Sequence, residues 1–205
     1  MKTDPIAARV CGRPVWITDV DRREARLRAT TPVASLPLSG TSEGRQLRRW
    51  LTQLIVTERV VIAEAARLGV TADGAPAMHQ VLPDVAARVE IGSVAAAVLA
   101  EPLARALFAY VTYDVAVTDD EVAGYHTRNP MRFAGGARGP GGWRTHNGPP
   151  SLQQARPAIS AHLLGAARRR AFRTWLDARC AVLVELAPGF EHPGDPRQPD
   201  NVHRH

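Results

Sequence analysis

The stretch Val117–Phe133, VTDDEVAGYHTRNPMRF, holds a helix start, a helix stop and an aromatic pair in a fixed order. Thr118 followed three positions later by Glu121 is a capping box, in which the hydroxyl serves an orphan amide of the first turn and the carboxylate reaches back to the cap. Asp119 and Asp120 add negative charge where the helix dipole favours it. Asn129-Pro130 then ends the helix, because proline drives the residue before it out of the α region. The spacing predicts a short helix with Val122 and Tyr125 on one side and Phe133 just beyond it.

Upstream, Leu47, Trp50, Leu51, Leu54, Ile55, Val61, Ile62, Ala65 and Leu68 recur at three and four, so a long second helix with one apolar stripe is expected, ended by Gly69 and capped by Ser42. A first helix is expected from the cap Thr18-Asp19-Val20-Asp21 to about Ala29. The Ala-rich segments after Pro83 (Val85, Val89, Val94, Val98, Leu99) and Pro102 (Leu103, Leu107, Val111) are candidates to pack on that stripe. Ile159, Leu163, Ala167, Ala171 and Trp175 in steps of four predict a last long helix. Two β-prone runs remain, Val10–Ile17 and Ala181–Leu186, and since an isolated strand leaves its amides without partners, the two are expected to pair. The fold class is mainly α: a helical bundle with a small two-stranded sheet joining the N-terminal and C-terminal strands.

These segments also carry a resemblance. Val10-Cys11-Gly12-Arg13-Pro14-Val15-Trp16-Ile17-Thr18 resembles the opening "V-N-G-x-P-I-T" strand of foldases of the SurA and PrsA type, with Cys11 where asparagine is usual. Residues Arg45–Val70 are similar to the family's long second helix, Val117–Phe133 to the segment leading into its parvulin prolyl isomerase, and Arg156-Pro157 to Leu186 to its closing helix and strand. A parvulin domain does not fit in the residues between Phe133 and Arg156. The resemblance therefore implies a SurA-like helical domain over 1–187, with a Gly/Pro-rich loop at 134–152 replacing the isomerase and a Pro/His-rich tail at 188–205. It further implies a chaperone-type protein that binds unfolded peptides or a partner protein without isomerising prolines.

Composition narrows the setting. No apolar run reaches the ~20 residues needed to cross a bilayer, and MKTDPIAARVCGRP lacks the apolar core of a secretory signal, so a cytoplasmic protein without a membrane role is expected. With only Cys11 and Cys180, no disulfide framework or cysteine zinc site can be built, and reduced thiols are expected. Net charge is +6 and almost wholly arginine. The clusters Arg45/Arg48/Arg49 and Arg168/Arg169/Arg170/Arg173 are read as solvated helix faces, and no nucleic-acid recognition motif accompanies them.

Three segments invite a chemical reading. Gly40-Thr41-Ser42-Glu43-Gly44 fits the G-x-S-x-G pattern of a nucleophile elbow, which requires a buried strand before it and a parallel sheet around it; no βαβ repeat follows. The tail PGFEHPGDPRQPDNVHRH, Pro188–His205, gathers His192, Asp200, His203 and His205, imidazoles and a carboxylate able to move protons or permit ligation of an ion. These four are the candidate catalytic residues; no metal site or cofactor is specified. Tyr110, Tyr113, Tyr125 and His126, with Trp143 and His146 in the Gly/Pro-rich loop, are candidate contacts for an aromatic ligand. The tail, GRQLRRW and EIGSVAAA also resemble small actinobacterial proteins of aromatic-polyketide clusters labelled malonyl-CoA:acyl carrier protein transacylases. That second resemblance implies secondary metabolism, a small aromatic or polyketide ligand, and an accessory enzyme or cyclase as the alternative function; a homodimer is left open.

Overall fold

The computed structural model describes residues 5–32, 35–133 and 148–192, and the backbone alone of 136–138 and 144–146. Its residues form two compact units, Met1–Tyr110 with Arg173–His205, and Val111–Phe172. The described part is mainly helical, with a small three-stranded antiparallel sheet in the first unit.

That sheet corrects the expectation of two strands. Instead of one strand over Val10–Ile17, β1 (Ile6–Val10) and β2 (Arg13–Trp16) form an antiparallel hairpin with Val10 opposite Arg13. Cys11 (φ 50°) and Gly12 (φ 74°) both lie in the left-handed region. This is the type I′ geometry whose twist matches the flanking strands, and asparagine is the residue that ordinarily precedes the glycine. Cysteine at that position conceals the turn from a reading by composition, and its Cβ is strained there. Cys11→Asn is expected to stabilise the protein by about 0.5–1 kcal/mol in a urea titration.

On the other edge of β1 lies β5 (Val184–Leu186), with Ala8 opposite Leu186 and Val10 opposite Val184. The pairing is extended at each end by Cys11 N–H donating to the Leu183 carbonyl (2.9 Å) and Ala187 N–H to that of Ala7 (3.0 Å). The head and tail strands thus meet as expected, but β5 is half the predicted length. Ala181 and Val182 stay in the preceding helix, α8 (Leu152–Leu183), because ladder partners on β1 begin only at Leu183. Both thiols are free, Cys11 exposed and Cys180 half-buried.

Helix α1 (Ile17–Thr30) starts earlier than its expected cap. Asp19 reaches back to accept from Trp16 N–H at 3.2 Å, so the acid serves the first turn from inside it. Helix α2 (Ser42–Leu68) ends at Gly69, whose φ of 68° permits the left-handed cap. The cap at its start is Thr41 and not Ser42: the Thr41 hydroxyl accepts from Gly44 N–H at 3.0 Å. Leu51, Leu54, Ile55, Val60, Val61 and Ala65 are buried along α2, while Ile62 is 58% exposed.

After α3 (Met78–Val81) come α4 (Val85–Ile91), α5 (Ser93–Val98) and α6 (Pro102–Val111), and α5 packs on α2. Of the residues proposed for this contact, Val98 and Leu99 are buried, while Val85 and Val89 are each 75% exposed. Ala87, Ile91 and Ala95 are buried as well, alanines permitting close helix approach.

Two buried glutamates cross-link the first unit. Glu24 of α1 accepts from Arg28 (2.9 Å) and from Arg48 of α2 (2.7 Å). Glu64 of α2 accepts from Arg67 (2.9 Å) and from Arg179 of α8 (2.8 Å). Burial alone would raise both carboxyls, but the hydrogen bonds and charges of the paired arginines outweigh it and hold both below the ordinary glutamate range. Arg49, itself buried, donates to the Gly189 carbonyl at 3.1 Å. Arg48 and Arg49 are therefore internal ties, not the solvated face read from the sequence.

The second unit is built on α7 (Asp119–Arg128) and the α8 residues from Leu152 to Phe172. The Thr118–Glu121 capping box forms as predicted: Glu121 N–H donates to the threonine hydroxyl (3.2 Å), and Thr118 N–H to the glutamate (2.8 Å). Asn129 closes the helix with its N–H on the Tyr125 carbonyl at 3.0 Å. A second box, Ser151 with Gln154, starts α8 five residues before the Arg156-Pro157 expected to open it. Val122, Ala155 and Ile159 form the core, with Val117, Tyr125, Phe133, Leu152 and Leu163 against it. Within the Gly/Pro-rich segment, β3 (Gly136–Arg138) pairs antiparallel with β4 (Arg144–His146).

Candidate functional site

Three residues on one face of α8, Arg173, Asp177 and Cys180, follow the i, i+4, i+7 spacing, and with Leu176 they form a wall of a cleft in the first unit. Gln53 and Thr57 of α2 and the α4–α5 junction from Ile91 to Ala95 supply the other walls, enclosing about 280 Å³. Gly92, at φ +90°, breaks the helix here, and a Cβ on it would meet Arg173 Nη1 at 3.6 Å. The floor is apolar, with Ile91, Ala95 and Leu176 buried.

His192 completes the rim. Its placement follows from the two residues before Glu191. Gly189 O accepts from Arg49 (3.1 Å) and Phe190 O from the Gln53 amide (3.4 Å), so the chain leaving β5 is tethered to α2. Of the tail residues proposed for proton transfer, His192 alone falls among the described residues; Asp200, His203 and His205 lie outside them.

Cys180 is the residue of this cleft that the sequence reading passed over. Burial pushes its thiol up to about 11, only partly offset by a hydrogen bond with Thr57, while Asp177 raises it further. At neutral pH the sulfur is a protonated hydrogen-bonding group and not an activated nucleophile, which would need a lowered pKa. Among the described residues, no group of three or more His, Cys, Asp or Glu side chains comes together to hold a metal ion.

In the second unit, Tyr125, Phe133 and His162 form a ring triangle with centroids 6.2, 5.5 and 6.1 Å apart, and Arg132 lies over the Tyr125 ring at 5.9 Å. The buried Tyr125 hydroxyl has no hydrogen-bond partner. His126 Nε2 stands 2.8 Å from the Pro150 carbonyl. Tyr110 and Tyr113 are exposed, in the first and second unit respectively. Trp143 and the His146 side chain lie outside the described residues. His162 was missed, although it stands one residue before Leu163 in the predicted apolar series of α8.

The G-x-S-x-G motif has a structural explanation. Gly40 (φ 85°) turns the chain, and a Cβ at Gly44 would stand 2.3 Å from the Leu38 carbonyl oxygen. That carbonyl accepts from the Thr41 hydroxyl at 2.8 Å, so loop and cap are interlocked. No parallel sheet surrounds Ser42 among the described residues. Alanine usually stabilises a helix interior relative to glycine by ~1 kcal/mol, but Gly44→Ala is expected to destabilise by about 1–3 kcal/mol in thermal melts, because backbone must move.

Residues 6–43 match a family of unknown function (DUF7158), a span that holds the hairpin, α1 and the entry to α2. No curated protein and no solved structure matches the chain. No helix among the described residues is long and apolar enough to cross a membrane.

Proposed function

We propose that the protein is a SurA-like, chaperone-type binding protein without prolyl isomerase activity, acting in the cytoplasm in bacterial secondary metabolism. The observation that carries this reading is a second hollow of the first unit, a groove of about 330 Å³ floored by Val61, Ile62, Val98, Leu103 and Ala104. Its rim bears the Arg23–Glu58 ion pair (2.7 Å) and Glu101. An aliphatic floor beside a carboxylate suits a peptide segment carrying aliphatic side chains next to a basic one, since apolar area supplies affinity and rim charge supplies register.

The test is fluorescence anisotropy with a labelled unstructured peptide of alternating leucine and arginine. Saturable binding is expected, weakened about tenfold, or ~1.4 kcal/mol, by Ile62→Ser, a change at a half-exposed position that leaves the fold intact. Absence of binding, or binding indifferent to Ile62, contradicts the reading. The second reading is an accessory enzyme or cyclase of aromatic polyketide biosynthesis. It is favoured by one observation, the tethering of His192 at the rim of the Cys180 cleft. Turnover of an aromatic polyketide intermediate, lost in His192→Ala, would establish it.

A further inference from the structure

The geometry points to the cleft between α2, the α4–α5 junction and α8 as a binding site for a small, carboxylate-bearing molecule, its acid group on Arg173 and its apolar body on Ile91, Val94 and Leu176. This inference stands apart from the peptide groove, which is formed by other residues.

Two properties of the cleft support it. The apolar floor is buried, with Thr57 beside it, while the charged Arg173 and Asp177 stand exposed at the rim, an arrangement that holds an amphipathic ligand in one orientation. The rim cation is also weakly committed. Arg173 donates from Nη1 to the Glu90 carbonyl at 3.3 Å, and its Nε stands 3.8 Å from Asp177, beyond good hydrogen-bond distance. A guanidinium has five N–H donors in a planar fork, so most remain to grip a carboxylate bidentately. The facing groups are polar: Ser93, whose hydroxyl accepts from the Trp50 indole (3.1 Å), the Gln53 amide, Thr57, the protonated Cys180 and, on the rim, His192. Asp177 is the opposing charge. It keeps out ligands without an anionic group strong enough to displace its loose contact, and limits affinity for those that have one.

Cys180 makes the proposal measurable. In a Cys11→Asn background it is the sole cysteine, and its alkylation by iodoacetamide at pH 9 can be followed by mass spectrometry. We expect 2-naphthoate to slow that reaction saturably, at least fivefold, and the neutral 2-naphthamide to do so much less. Arg173→Gln should abolish the difference between acid and amide, and Arg173→Lys should keep part of it. Since Arg173 is exposed, both variants should melt with the parent. Ile62→Ser should leave the protection intact, which separates failure of this site from failure of the peptide groove. An alkylation rate unchanged by 2-naphthoate, equal protection by the amide, or protection that survives Arg173→Gln would overturn the proposal.

Discussion

Replacement of Glu64 by alanine is expected to cost about 3 kcal/mol and to lower Tm by on the order of 10 °C. The carboxylate is 2% exposed and is shared by Arg67 (56% exposed) and Arg179 (29% exposed). Arg67 can turn to water when its partner is lost, and Arg67→Ala should cost less than about 1 kcal/mol. Arg179 has less freedom. Its Nε is already buried without a hydrogen-bond partner, so loss of Glu64 strands a half-buried cation. If stranding is the main cost, the double change Glu64→Leu with Arg179→Met should recover most of the stability, because an apolar pair of similar volume leaves no charge behind.

The same carboxylates set the response to acid. Glu24 and Glu64 both titrate below their ordinary range in the folded state, so the folded protein binds fewer protons than the unfolded chain in the window between the two values. Their contribution is complete above the unfolded glutamate value and is lost as pH falls through the folded ones. Melting temperature should therefore hold from neutral pH down to about pH 5 and fall steeply below about pH 4. Glu64→Ala should show a shallower acid limb.

The second large effect is expected from the end of the chain. A variant that stops after Leu183 lacks β5 and the Gly189 carbonyl that accepts from the buried Arg49, and it should lose about 3–5 kcal/mol, much of the stability of an ordinary domain. A variant that stops after Pro188 retains β5 and loses the tethers from Arg49 and Gln53 together with the other contacts of residues 189–192. It should lose about 1–2 kcal/mol. The difference between the two variants measures the strand itself.

How far the fold could be read from the sequence differed from element to element, for physical reasons. Local chemistry was legible: Thr118, Glu121 and Asn129 bound α7 as their spacing requires, and Gly69 caps α2. The meeting of the terminal strands was legible because two β-prone runs had no other partner. What failed was the turn at Cys11-Gly12, where a residue atypical of the left-handed region hid a hairpin, and the phase of α4, where Val85 and Val89 face outward while Ala87 and Ile91 are buried. The Glu24 and Glu64 ties were not legible, because a charged residue on a helix is ordinarily solvated and only tertiary structure shows which one is enclosed. At the cleft, the 173, 177, 180 spacing was visible, but its meaning depends on Gln53, Thr57 and His192, which topology alone brings together.

Hydrogen exchange read at single amides tests the joining of head and tail most directly. Cys11 and Ala187, whose N–H groups cross between β1 and the chain around β5, should exchange as slowly as the ladder amides of Arg9 and Glu185, and all of them should lose protection together in mild denaturant. Exchange of Glu185 and Ala187 at the rate of an unfolded peptide, while the amides of α2 stay protected, would contradict that joining.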